Sequence, residues 1–228
     1  MWVGLPMAVE GIAAERYARF ALLGTATVHE AEPDCGILDA AWIQIVPGSR
    51  VAGPVRTAAC GQGDNRAVHE LLAAANAGDV LVLTMPEPAP YGMIGELMAR
   101  QAKRTAVAAI LVDGGVRDTD ELRELGLPVW SRWVRVRGTT KNLHGQIDVP
   151  VVVAGADISP GDVLVLDADG AVVIPRSRAE RALDAGERRL AKEAILRAQL
   201  EAGERTYDLL GLSPARPSQE MDGDLGAQ

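Results

Sequence analysis

Residues 95–118 read GELMARQAKRTAVAAILVDGGVRD. Gly95 opens the stretch, and Glu96 to Thr105 carries helical spacing. Ala108 to Val112 is then apolar at every position. A strand with one wet face alternates, whereas an unbroken apolar run belongs to a strand covered on both faces. Gly114-Gly115 predicts a tight turn after it, and Arg117-Asp118 follows. A helix, a buried strand and a new helix in succession predict a mixed α/β domain.

The flanking sequence repeats that grammar. Upstream, Gly78-Asp79 turns into Val80 to Thr84, a second fully apolar strand, and a loop with Pro86, Pro88 and Pro90 leads on to Gly95. Before it, the Gly61-Gln62-Gly63-Asp64-Asn65 loop opens a helix over Arg66 to Ala75. Ala41 to Val46 and Arg50 to Val55 are strand candidates. Glu15 to Leu23 is a helix that ends at Gly24, and Thr25 to Glu30 opens another; the chain turns between Pro33 and Gly36. Downstream, Thr119 to Leu125 is a short helix, Val129 to Arg137 a strand and Val151 to Ala154 another. Gly161 to Leu166 and Ala171 to Ile174 pair as a hairpin across Asp167-Ala168-Asp169-Gly170. Arg178 to Ala202 is one long amphipathic helix. Gly161-Asp162-Val163-Leu164-Val165-Leu166 echoes Gly78-Asp79-Val80-Leu81-Val82-Leu83, either an old duplication or one local solution used twice. These elements predict one α/β domain over 1–212 and a flexible tail, rich in Pro, Gly, Ser and Asp, over 213–228.

Composition excludes several partners. Hydrophobic residues make up 48% of the 228, but aromatics only 4%, so the core is Val, Leu, Ile and Ala. The formal charge of −8 and the lack of a dense Lys/Arg run argue against nucleic acid and against an anionic membrane surface. No apolar run approaches the roughly 20 residues of a membrane span. The first twenty residues lack a basic region ahead of their apolar part and read as a short helix, not a signal peptide. Cys35 and Cys60 match no metal or redox spacing and read as buried or half-buried thiols of a reducing compartment, so the cytoplasm is the expected location.

Two local signals carry chemistry. A glycine at a helix entrance lets the backbone approach a ligand, and the first free N–H groups with the helix dipole suit a carboxylate. An Arg-Asp pair just past a buried strand offers a fork for an anion and a ligand for a hard cation. Each has an ordinary reading as well: Gly95 caps a helix whose dipole Glu96 complements, and Asp118 caps the next helix or pairs on the surface with Arg117. Their spacing joins them, since the twenty residues 97–116 hold one helix and one strand. That length places a helix N-terminus beside a neighbouring strand end. His29, His69 and His144 have no zinc spacing, although His69 lies one turn beyond Asn65 on the same helix face. Trp130 and Trp133 read as packing residues.

An acidic residue, twenty residues and then Arg-Asp resembles the signature of the class II pyruvate aldolases. These cleave 4-hydroxy-4-methyl-2-oxoglutarate and 4-carboxy-4-hydroxy-2-oxoadipate and share a β/β/α swivelling-type fold with the regulator of ribonuclease activity A. The resemblance extends over Gly24 to Ala31, Gly63-Asp64-Asn65 with His69, Gly95 to Met98, Arg117-Asp118, Leu127 to Ser131, Val149 to Val151 and Gly161-Asp162 to Pro175. It implies a Mg²⁺ or Mn²⁺ cofactor held by Asp118, an enolate stabilised by Arg117 and a proton-handling water network organised by Glu96. The backbone at Gly95, Leu97 and Met98 would hold the substrate carboxylate, and Glu30, Asn65 and His69 would line the far end. Glu193 would reach a metal-bound water from a neighbouring subunit, which implies a homotrimer or hexamer with the site at a subunit interface. The implied substrate is a small 4-hydroxy-2-keto acid, with oxaloacetate decarboxylation as a side activity. Many such aldolases have Asp where this chain has Glu96, and Lys141 to Gln146 is not the commonest version of its loop. Two other readings stay open: a non-catalytic regulator of a ribonuclease or helicase, and a related lyase or decarboxylase for a different keto acid.

Overall fold

A computed structural model describes residues 6–212, with side chains from residue 14 onward. The proposed tail over 213–228 and the first residues of the N-terminal segment lie outside the described residues. The chain groups into two compact units, Met1–Arg189 and Leu190–Gln228. The strands are β1 (Gly36–Ile37), β2 (Ile43–Gln44), β3 (Val51–Ala59), β4 (Val80–Thr84), β5 (Gly92–Ile94), β6 (Ala109–Val116), β7 (Val129–Val134), β8 (Gln146–Ile147), β9 (Val151–Val153), β10 (Ala156–Ile158), β11 (Val163–Leu166) and β12 (Ala171–Ile174). The helices are α1 (Pro6–Ala31), α2 (Arg66–Ala74), α3 (Glu96–Arg104), α4 (Thr119–Leu125), α5 (Ala179–Glu201) and α6 (Thr206–Leu209). This is the expected mixed α/β architecture with a long C-terminal helix. Among the described residues no helix is long and apolar enough to cross a membrane.

The sheet runs β1-β12-β11-β3-β4-β6-β7-β2, with β5 on β6 and β8 on β3. From β3 through β4 and β6 to β7 the pairing is parallel, and α2, α3 and α4 make the crossovers. The unbroken apolar runs are explained by cover on both faces. Leu81, Leu83, Ile110 and Val112 pack with Val68, Leu71, Leu72, Ala99 and Leu122 of the helices. Val80, Val82, Ala109 and Leu111, one residue out of phase, pack with Trp130 and the strands β9 to β12. Trp130 is 1% exposed and its Nε1–H donates to the Asp167 carbonyl, so its packing role is met.

The Gly-Asp echo proves to be one local device. Gly78 and Gly161 both take a left-handed φ, 84° and 89°. In each case the following carboxylate accepts the N–H three residues before it: Asn76 to Asp79 at 2.7 Å, Ser159 to Asp162 at 2.9 Å. The turns open β4 and β11, which pair with the two edges of β3.

Four sequence expectations need correction. Gly114-Gly115 is not a turn, because β6 continues through it to Val116. A Cβ on Gly115 would lie 2.8 Å from the Tyr91 carbonyl, so the glycine admits β5, which the proline-rich stretch concealed. Only Ile43–Gln44 of the Ala41 to Val46 run pairs as strand, whereas β3 continues past Val55 to Ala59. The β7 ladder stops at Val134, short of Arg137.

The helix break at Gly24 is present, with φ 77° and ψ 169°. Asp167, at the tip of the β11–β12 hairpin and 5% exposed, restarts the helix. Its Oδ2 accepts the Thr25 N–H at 2.8 Å and its Oδ1 the Thr25 hydroxyl at 2.7 Å. A Cβ on Gly24 would lie 2.9 Å from Asp167 Oδ2. Asp167→Ala strands both donors in the core, and we expect it to cost about 2–4 kcal/mol. Urea denaturation measures this, and a loss below about 1 kcal/mol would contradict the capping role.

Candidate active site

β5, the start of α3 and the end of β6 meet around a cavity of about 250 Å³. Arg117 N–H donates to the Ile94 carbonyl at 3.1 Å, fastening the end of β6 to the end of β5. Asp118 then takes a left-handed backbone, φ 56° and ψ 45°, which turns its carboxylate back toward α3. Its Oδ2 accepts the Glu96 N–H at 3.0 Å. Gly95 lies between them: a Cβ there would sit 2.2 Å from Asp118 Oδ2 and 3.2 Å from Arg117 Nε. The glycine is required for this close approach, since its φ of −143° suits any residue.

The N-cap residue of α3, Gly95, supplies no side-chain cap of its own. With the Glu96 N–H taken by Asp118, Leu97 and Met98 sit where a helix leaves its N–H groups unbonded, and both residues line the cavity. Arg117 and Lys141 line it as cations and Asp118 as the acid, so the cavity favours an anion. Asn65, 4% exposed, donates from Nδ2 to the Met93 carbonyl at 2.8 Å. Its buried Oδ1 has no hydrogen-bond partner among the described residues. Desolvation of the His69 ring and the charge of Lys141 lower its pKa from the ordinary 6.5.

Of the residues singled out from the sequence, the cavity brings together Gly95, Leu97, Met98, Arg117, Asp118, Asn65 and His69. Glu96 enters through its backbone, while its side chain pairs with Arg100 one turn on. Glu30, at the end of α1, pairs with Arg189 and does not line the cavity. Glu193 is half-buried on α5, in the second unit. Sequence reasoning missed Gly138, Thr139 and Lys141 as lining residues. They belong to an exposed stretch without periodicity, and the Gly63-Asp64-Asn65 triplet that holds it was the available signal.

Among the described residues no group of three or more His, Cys, Asp or Glu forms a cage for a metal. One partly exposed carboxylate beside open volume instead fits an ion such as Mg²⁺, which keeps several waters and takes one or two carboxylates with oxygens of the ligand. The cysteines have no part in this. Both are buried, and burial pushes the Cys60 thiol up to about 12 and raises Cys35.

Residues 25–173 match the family model RraA-like, described as Aldolase/RraA. The chain belongs to the RraA-like family. It is 34% identical over 127 residues to a Thermus thermophilus protein named 4-hydroxy-4-methyl-2-oxoglutarate aldolase, covering 56% of this chain and 77% of the relative. A Halalkalibacterium halodurans protein, given the same activity provisionally in its name, is 33% identical over 144 residues, 63% of this chain and 69% of its own. The crystal structure of Streptomyces coelicolor RraAS2, described as an unusual member of the RNase ES inhibitor RraA protein family, superposes with a TM-score of 0.71. It is 30% identical and covers 80% of this chain and 96% of its own. The RraA-like fold predicted from the sequence is therefore the fold observed.

Two outcomes follow from this geometry. Gly95→Ala forces the Asp118 carboxylate aside, and we expect Mn²⁺ affinity to fall at least about tenfold with the fold retained; calorimetry with unchanged affinity would refute the close-approach argument. Because its folded pKa is depressed, His69 takes its proton below the ordinary imidazole range, and its protonation penalises the native state as pH falls through and below 6.5. An anion in the cavity offsets Lys141 and raises the His69 pKa. An NMR titration of the ring with and without oxalate should show that rise, and a fall on binding would place the anion elsewhere.

Proposed function

We propose that the protein is a class II pyruvate aldolase, a divalent-metal-dependent lyase that cleaves a 4-hydroxy-2-keto acid to pyruvate. The observation that carries this reading is the closure of Gly95 onto Asp118. It gathers a carboxylate, an arginine and two helix N-terminal N–H positions around one anion-favouring cavity. The names of the aldolase relatives support the same reaction class.

In this reading the backbone N–H groups of Leu97 and Met98 hold the substrate carboxylate. Asp118 holds the cation, Mg²⁺ or Mn²⁺, which when bound supplies Lewis-acid polarisation of the keto oxygen. Water takes the proton from the C4 hydroxyl, whose oxygen becomes a carbonyl as the C3–C4 bond breaks; the electron pair passes to C3 and the keto oxygen as the pyruvate enolate, and water then returns a proton to C3. Arg117 stabilises that developing charge. Glu96 organises the water network once its carboxylate leaves Arg100, its partner here. Asn65 and His69 face the distal part of the substrate, where Asn65 Oδ1 offers an unused acceptor. Glu193 of a neighbouring copy completes the site in a trimer or hexamer, while Glu30 stays with Arg189 away from the cavity. Oxaloacetate loses CO₂ through the same enolate and is the accompanying activity.

A second reading, a regulator that binds a ribonuclease without catalysis, is favoured by the likeness to RraAS2. Incubation with oxaloacetate and Mg²⁺, followed by assay of pyruvate, separates the two. We expect chelator-sensitive release, lowered on the order of 10²-fold or more by Arg117→Ala and by Asp118→Ala. Full activity in either variant, or no release from the parent protein with any 4-hydroxy-2-keto acid tried, would sink the aldolase assignment.

A further inference from the structure

Residues 134–144 cross the cavity mouth, and none of them is buried. A stretch without apolar burial takes its shape from hydrogen bonds. At its near end Gly92 N–H donates to the Arg137 carbonyl at 2.7 Å, and Gly92 and Gly138 form an isolated bridge. At its far end every tie runs to the segment before α2. Thr140 N–H donates to the Gly63 carbonyl and Asn65 N–H to the Thr140 carbonyl, both at 3.0 Å.

Asp64 sits behind this strap at 0% exposure. Its Oδ2 accepts the Thr140 hydroxyl at 2.6 Å, the Asn142 N–H at 2.7 Å and the Leu143 N–H at 3.2 Å. Its Oδ1 accepts the Arg66 N–H at 2.8 Å, at the start of α2. Burial alone would raise this carboxyl, but the Thr140 hydroxyl and the three N–H groups outweigh it and hold it at about 2. The carboxylate is thus ionised at any working pH, and its bonds are charge-assisted. They tie down both neighbours of Lys141, the Thr140 hydroxyl and the Asn142 N–H, and Lys141 itself lines the cavity.

We propose that Asp64 is a positioning residue: it holds the 138–143 strap so that Lys141 faces the cavity, and thereby selects keto acids that carry a second anionic group. This rests on the keto-acid reading of the cavity given above. The physical argument is preorganisation. A lysine on a loose loop must be ordered at the moment of binding, and that cost is removed when the loop is already held.

Asp64→Asn is the test, because it keeps the shape and turns part of the acceptor into a donor facing other donors. Thr140→Val is a milder companion that removes one bond. With Mg²⁺ present, calorimetry is run with pyruvate, which lacks a distal anion, and with 2-oxoglutarate, which has one. Amide exchange is followed at Asn142 and Leu143. We expect Asp64→Asn to weaken 2-oxoglutarate about tenfold and pyruvate less than about twofold, with faster exchange at both amides and unchanged protection in β4 and β6. Thr140→Val should move the same way by less. Adding Lys141→Ala to Asp64→Asn should cost little further, since the two act through one contact. Equal weakening of both acids, or unchanged exchange at Asn142 and Leu143, would overturn the proposal. If the parent protein binds neither acid, the keto-acid reading and the selectivity built on it both fail. Amide exchange then decides alone whether Asp64 positions the strap.

Discussion

The site depends on an atom that is missing. Without a Cβ, Gly95 lets the Asp118 carboxylate lie against the backbone at the entrance of α3 and accept the Glu96 N–H. Asp118 adopts a left-handed backbone to reach it, at a cost of order 1 kcal/mol. A hydrogen bond to an ionised acceptor contributes about 1.5–3 kcal/mol and offsets that strain. One contact then does three things. It docks the helix start against the strand end, sets Arg117 beside the cavity, and occupies one of the first N–H groups so that the next two remain for a ligand.

The scaffold behind this contact is built without large aromatic anchors. Val, Leu and Ile of β4 and β6 are covered on both faces, by helices on one side and by strands and Trp130 on the other. Such a core resists small displacements, which a site that must align several groups around one ligand cannot tolerate. The polar connections between its parts follow one chemical rule. Asp64, Asp79, Asp118, Asp162 and Asp167 each place a carboxylate on backbone N–H groups at a loop or helix start. These five of the chain's 31 acidic residues are therefore structural.

The same rule separates acids that hold the fold from acids open to chemistry. Asp64 and Asp167 are enclosed by donors. Asp118 is partly exposed on the cavity. The Glu96 arm lies along the helix against Arg100. Its backbone N–H meanwhile keeps the contact to Asp118 that closes the site.

The sequence by itself determined the buried strands, the helices between them, the hairpin and the break at Gly24. These are set by local rules: apolar period, turn chemistry and the left-handed freedom of glycine. It also placed Gly95, Leu97, Met98, Arg117 and Asp118 in one neighbourhood, because a helix and a strand of that length must bring their ends together. It misread Gly114-Gly115, since glycine marks a close approach as readily as a turn, and the approaching strand β5 lay hidden among prolines. Only the tertiary structure decided which side chains face the cavity. Lys141 comes to it from an exposed strap whose course is set by a carboxylate 77 positions earlier in the chain. Glu30 turns instead to Arg189. Such partnerships depend on long-range packing, and residue spacing carries no record of them.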